Sequence, residues 1–180
     1  MKRPILFTLA TAAILSAGAS SAQATEVGTS RNFGLGFQIG EPTAITAKAF
    51  IGGGNAFDFG LGFGGWGYYQ CRDANGNSYR CGDFHHNISV HADYLYEENI
   101  VNMTNRLDWY VGLGGRLIVS PYGNNDLGHD VVILARVPIG IAATFRRPNF
   151  LEAYLEIAPA IWIPWLDFTI DVGLGVRAYF

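Results

Sequence analysis

Leu166-Asp167-Phe168-Thr169-Ile170-Asp171-Val172-Gly173-Leu174-Gly175-Val176-Arg177-Ala178-Tyr179-Phe180 decides how the rest of the chain is read. Phe168, Ile170, Val172, Leu174, Val176, Ala178 and Phe180 alternate without a break with Thr169, Asp171, Gly173, Gly175, Arg177 and Tyr179. A period of two is a β-strand with one oily face and one polar or small face. Two environments fit that pattern. A soluble strand turns its oily face to a core, whereas a strand of a membrane barrel turns it to lipid and the other face to a lumen.

Working outward from this stretch, the same period recurs over Phe33–Ile39, Ala44–Ile51, Ala56–Gly64, Phe84–Tyr96, Leu107–Val119, Asp130–Phe145 and Phe150–Ile163. Gly40-Glu41-Pro42-Thr43, Gly52-Gly53-Gly54-Asn55 and Arg146-Arg147-Pro148-Asn149 are turn signals between them. Gln70–Asp83, Glu97–Arg106 and Ser120–His129 read as longer polar connections. No helical period follows residue 25. The pattern therefore predicts an all-β fold, an eight-stranded antiparallel up-and-down transmembrane β-barrel. Eight is the smallest even strand number that closes such a barrel, and closure leaves no strand edge unsatisfied in lipid.

The chain opens on Met1-Lys2-Arg3, an apolar run from Ile5 to Gly18, and the small-x-small triplet Ala22-Gln23-Ala24. That is the layout of a secretory signal peptide over residues 1–24, with the barrel domain over 25–180. The apolar run falls short of the ~20 residues that span a bilayer as a helix. Without Lys2 and Arg3, 10 bases face 15 acids, and the formal charge of 10 − 15 = −5 argues against a nucleic-acid partner. With 23 Gly, 14% aromatic and 15% charged residues the chain is short of charge for a small soluble domain. Such domains carry about 25%.

Placing both termini in the periplasm sends Gly40–Thr43, Gln70–Asp83, Ser120–His129 and Ile163–Trp165 outside, and leaves Gly52–Asn55, Glu97–Arg106 and Arg146–Asn149 inside. Glu97–Arg106 is long for a periplasmic turn. Trp66, Tyr68, Tyr69, Phe84, Tyr122, Trp162 and Trp165 then fall near the outer rim. Phe33, Tyr94, Tyr96, Trp109, Phe145, Phe150, Tyr179 and Phe180 fall near the inner one. Two such rings match the aromatic girdles of membrane barrels. A lipocalin-like barrel is the soluble alternative, but the face opposite the oily one is mostly glycine with scattered charge, a poor surface for water.

The lumen-facing charges predicted by the alternation are Lys48, Asp58, His91, Asp93, Arg116, Arg136, Glu152, Glu156, Asp171 and Arg177. Nearly balanced, they read as a charge network that plugs a narrow interior, since unpaired charge there would be costly. The glycines on the same face read as permitting curvature, or else as leaving a small wet cavity. Cys71 and Cys81 share one external loop of an exported chain and are expected to form a disulfide. A metal site with His85 and His86 is disfavoured, so no metal and no cofactor are expected. Ser89, His91 and Asp93 share a phase, but an inward trio reads as structural rather than as a hydrolase site. Counting back from Arg146–Asn149 sets Ile157 opposite Pro138 and Arg136 opposite Pro159, a seam short of ladder donors.

Gly40-Glu41-Pro42-Thr43, Asn55-Ala56-Phe57-Asp58-Phe59, His91-Ala92-Asp93-Tyr94-Leu95, Tyr110-Val111-Gly112-Leu113-Gly114-Gly115-Arg116, Arg136-Val137-Pro138-Ile139-Gly140, Leu155-Glu156-Ile157-Ala158-Pro159 and Gly175-Val176-Arg177-Ala178-Tyr179-Phe180 carry a resemblance over most of residues 33–180. The chain resembles small uncharacterised bacterial outer-membrane β-barrel proteins, similar in build to the OmpA membrane domain and OmpX. The resemblance implies fold and bacterial outer-membrane location, with Tyr179 and Phe180 as a signal for the barrel assembly machinery. It implies no catalytic residue. Membrane lipids and an unspecified surface partner of the external loops are the expected partners, and no enzymatic activity is expected. The alternatives are a lipid-modifying outer-membrane enzyme working through the Pro138/Pro159 seam, or a narrow pore.

Overall fold

The computed structural model describes residues 26–63, 68–72, 78–83, 87–102, 105–120, 130–163 and 166–180; for 68–72, 78–83, 102, 120 and 130 this means the backbone alone. The expected signal peptide lies outside the described residues. Eleven strands follow in chain order: β1 (Phe33–Glu41), β2 (Ala44–Gly52), β3 (Asn55–Phe63), β4 (Tyr68–Arg72), β5 (Ser78–Asp83), β6 (Ile88–Asn102), β7 (Arg106–Ser120), β8 (Asp130–Arg136), β9 (Ile139–Thr144), β10 (Leu151–Ile163) and β11 (Phe168–Tyr179).

Nine of them form one antiparallel sheet whose hydrogen bonding returns to its start. β1 pairs with β2 and with β11, β11 with β10, and β7 with both β8 and β9, which in turn both pair with β10. The ring alternates as the sequence does. Leu174, Val172, Ile141, Leu155, Phe59 and Val90 point outward and are exposed, while Thr46, Lys48, Asp93, Arg136, Tyr154 and Arg177 point inward and are buried.

β8 and β9 occupy the place expected for one strand, Asp130–Phe145. The break falls at Val137–Pro138 because Pro138 has no N–H for the ladder. The ring still closes around it: the Pro138 carbonyl accepts from Gly112 N–H at 2.8 Å, and the Pro159 carbonyl from Val137 N–H at 2.9 Å. The register differs by one residue from the count made from the turn. Ile139 faces Ile157 and Arg136 faces Ala160. Residues directly opposite across an antiparallel ladder share a face. Arg136 points inward, so an inward residue such as Ala160 must face it, not Pro159.

Glu97–Arg106 is not a long connection. β6 runs on to Asn102 and β7 starts at Arg106, with one irregularity between Asn99 and Val101. The acids that suggested a loop belong to the strand, because Glu97 keeps the inward phase of His91 and Asp93 and finds a cationic partner inside. Part of the Gln70–Asp83 loop is likewise ordered, as the separate β4–β5 hairpin. Its register sets Cys71 opposite Tyr79, with a shift between Tyr69 and Gln70, so the backbone does not carry the expected Cys71–Cys81 pairing. The two cysteine side chains lie outside the described residues.

Two girdle assignments are also corrected. Tyr179 and Trp162 sit on the inward face and are buried, whereas Phe180 is outward and 68% exposed. Inward glycines are seats for large neighbours. A Cβ on Gly175 would lie 2.3 Å from the Tyr154 ring, one on Gly140 2.3 Å from the Tyr110 ring, and one on Gly60 2.1 Å from the His91 ring. Each of these glycines stands directly opposite the residue that fills it. Neither curvature nor a wet cavity explains these positions; cross-strand packing of a large side chain over a glycine does.

At the end of the ring where Phe33 and Phe180 lie, Glu26–Asn32 folds across the ring. Val27 is 1% exposed, its carbonyl accepts from Arg106 at 3.2 Å, and Arg31 Nη1 donates to the Tyr179 carbonyl at 3.2 Å. Above it Ala56, Leu95, Tyr110, Ala142 and Tyr154 form a small apolar cluster joined by Phe50. This end of the interior is closed by packing.

Candidate functional site

The ten charged residues expected inside are all buried: Lys48, Asp58, His91, Asp93, Arg116, Arg136, Glu152, Glu156, Asp171 and Arg177. They come from strands all round the ring and group into two clusters. Toward the terminus end, Arg177 on β11 reaches Asp58 on β3, with Nη2 at 2.8 and 2.6 Å from its two oxygens. Its Nε donates to Thr46 at 3.3 Å, and its guanidinium stacks 3.9 Å from the centre of the Tyr154 ring. Arg177 Nη1 also approaches Glu152 at 3.4 Å, and Tyr179 Oη donates to that carboxylate at 3.1 Å. Lys48 is hydrogen-bonded to Glu97 and lies 3.6 Å from Glu152, with its ammonium over the Phe50 and Tyr110 rings. Cations over aromatic faces in a buried interior gain an attraction beyond the ion pairs.

Toward the loop end, Arg116 on β7 bridges Asp171 and Glu41, both at 2.9 Å. Arg136 on β8 donates to Glu156 at 2.5 Å, and Tyr110 Oη donates to the other Glu156 oxygen at 3.1 Å. Arg136 stands farther, at 3.5 Å, from Asp93 and from Asp171, and neither approach is a hydrogen bond. This second cluster is held more by charge than by directed bonds.

Sequence reasoning missed Glu41, Glu97, Asp108 and Arg106 as members of this interior. Arg106 pairs with Asp108 at 2.7 Å and ties it to the Val27 carbonyl. Glu97 was legible from phase, since it follows Ser89, His91, Asp93 and Leu95 at every second position. Glu41 was not. It breaks the inward phase of β1 after Gly40, whose φ of +137° turns the strand end inward.

Ser89, His91 and Asp93 all point inward, but Ser89 Oγ, His91 Nδ1 and both Asp93 oxygens have no hydrogen-bond partner. No serine–histidine–acid relay joins them. Among the described residues no three His, Cys, Asp or Glu side chains converge on a metal position.

A family model described as a protein of unknown function (DUF3996) matches residues 24–178. The chain belongs to this family. The match takes in β1 to β10 and all of β11 but its last residue, so every member of both clusters except Tyr179 lies within it. No curated protein and no solved structure matches the chain.

Proposed function

We propose that the chain is an eight-stranded transmembrane β-barrel of a bacterial outer membrane, with a plugged lumen and a non-enzymatic structural or surface-interaction role. One observation carries this reading: the distribution of polarity is inverted. Arg136, Arg177, Lys48 and Glu152 are among the largest fully buried side chains, while Phe37, Ile45, Phe59, Val90, Ile139, Leu155 and Leu174 are exposed around the circumference. A monomeric soluble protein rarely exposes an apolar patch larger than a few hundred Å². A belt that runs round a whole ring has lipid as its natural solvent.

Several features agree with it. The ring closes without a free edge, as the hydrocarbon region requires. β8 and β9 share one place in the ring and count as one spanning strand. Tyr94, Tyr96, Trp109 and Phe150 are exposed toward the terminus end, where an interfacial girdle would lie. Phe180 faces outward at the chain end, available to the assembly machinery. The interior supports a role without conduction, because no buried polar atom of the cluster built on Lys48 and Arg177 is left without a hydrogen bond. The loops at the far end are the natural place for a surface partner. The test is an SDS gel of outer-membrane fractions with and without boiling. A mobility shift on boiling supports the reading; recovery from soluble periplasm without a shift removes it.

A further inference from the structure

Pro138 and Pro159 interrupt neighbouring rungs of the wall built by β7, β8, β9 and β10. The Val137 N–H donates to the Pro159 carbonyl at 2.9 Å, and the Gly112 N–H to the Pro138 carbonyl at 2.8 Å. In each of these antiparallel pairs the return bond would need a proline N–H, which does not exist. The strand therefore lacks one bond on each side at consecutive residues. No bulge repairs the loss. Ala160 opposite Arg136 and Ile157 opposite Ile139 keep one register through the prolines. Gly114 opposite Arg136 and Val111 opposite Ile139 do the same on the β7 side.

Beyond the prolines, β8 meets β10 only from Arg136 to Ile133, opposite Ala160 to Ile163. Among the described residues this is the shortest ladder of the nine-stranded sheet. Val137 bonds to β10, so by alternation the amides of Ile133, Ala135 and Ile161 cross this seam, whereas those of Val132, Leu134 and Arg136 point to β7.

Both faces of the seam are apolar. Ile118, Leu134, Ala160 and Trp162 form a buried cluster behind it, and Ile133, Ile161 and Ile163 are exposed in front. Between β10 and β11, by contrast, buried Glu152 faces buried Arg177. Parting strands there would uncover ionised groups, whereas parting β8 from β10 uncovers hydrocarbon. Arg136 on β8 and Glu156 on β10, 2.5 Å apart, latch the seam at its proline end.

We propose that this seam is a lateral gate: β8 parts from β10 on the Ile133 side of Pro138 and Pro159 while the other ladders of the ring stay closed. This goes beyond the envelope role and rests on contacts within the ring alone.

Residue-resolved amide hydrogen exchange by NMR tests it on the purified, folded full chain in detergent micelles. Ile141 and Leu155 bridge the same strands on the other side of the prolines. Ile133, Ala135 and Ile161 should be protected about fivefold less than these two, the scale of one net hydrogen bond. Val132 and Leu134, bonded to β7, should keep the protection of Ile141, because the opening is local to one seam. Pro159→Ala supplies the N–H that faces the Val137 carbonyl and should raise the protection of the three amides about fivefold. Pro138→Ala adds its donor toward β7 and should leave them unchanged. Protection of Ile133 and Ala135 equal to that of Ile141 would mean a closed seam, and equal loss at Val132 and Leu134 would mean fraying of the whole strand. Either result overturns the proposal, as would a Pro159→Ala chain that folds without slowing the three amides. The unsubstituted chain decides the matter if Pro159→Ala does not fold. None of these outcomes bears on the boiling shift, so the two readings fail separately.

Discussion

Nη2 of Arg177 lies within 2.8 Å of both carboxylate oxygens of Asp58, although β11 and β3 are separated in the ring by β1 and β2. The contact spans the interior rather than a ladder, so it ties opposite walls together. Arg177 is 1% exposed and Asp58 2%. At that depth the pair is worth less than the damage done by removing half of it.

Asp58→Ala should therefore destabilise the fold by about 3–5 kcal/mol, because it strands a buried guanidinium. Arg177→Met added to Asp58→Ala should recover much of the loss. Urea unfolding followed by tryptophan fluorescence measures both. A double variant no more stable than Asp58→Ala would show that the pair does not act as a unit.

The glycine seats give a prediction of different origin. Gly175→Ala puts a methyl 2.3 Å from the Tyr154 ring, and the ring is pinned between Gln38, Thr46 and the Arg177 guanidinium. Overpacking of this kind costs about 1–3 kcal/mol. Gly115→Ala, whose methyl would come no nearer than 3.3 Å to any neighbour, should cost clearly less. Thermal unfolding of the two variants side by side checks the difference, and equal losses would contradict it.

Leu174 offers a test of what surrounds the ring. It is outward, 55% exposed, and sits midway along β11 opposite Ile39 and Leu155. In water, Leu174→Arg would be close to neutral, as exposed substitutions usually are. In lipid the same change should cost about 2–4 kcal/mol near the midplane. Folding yield into phospholipid vesicles should fall accordingly, and an unchanged yield would count against the membrane reading.

Arg106 holds the segment that closes the terminus end. Arg106→Gln keeps a donor but removes the charge facing buried Asp108, at 1% exposure. We expect faster hydrogen exchange over residues 26–32 with the ring amides unchanged, since the segment is tied by few bonds and opens locally. Exchange that rises equally in β10 and β11 would mean the segment is part of the global core.

How much of this was readable in advance varies element by element. The alternation in Leu166–Phe180 announced both faces of β11, and every inward charge chosen on phase is buried. Phase also held the answer to two errors. Glu97 continues the odd-numbered inward series of β6 past the point where polarity suggested a loop. Parity of facing residues excludes Arg136 opposite Pro159. Both follow from the pleat alone.

What the chain determined by itself is the face each side chain takes, because a period of two is a local property of the backbone. The partners were decided only by closure of the ring. Arg177 meets Asp58, Arg116 meets Glu41, and Tyr154 meets Gln38 because strands distant in sequence are brought round one axis, and no local pattern encodes that distance. The same closure divides the interior into a satisfied half and an unsatisfied one. Composition along a single strand cannot distinguish them, since Asp58 and Asp93 look alike until the strands that face them are known.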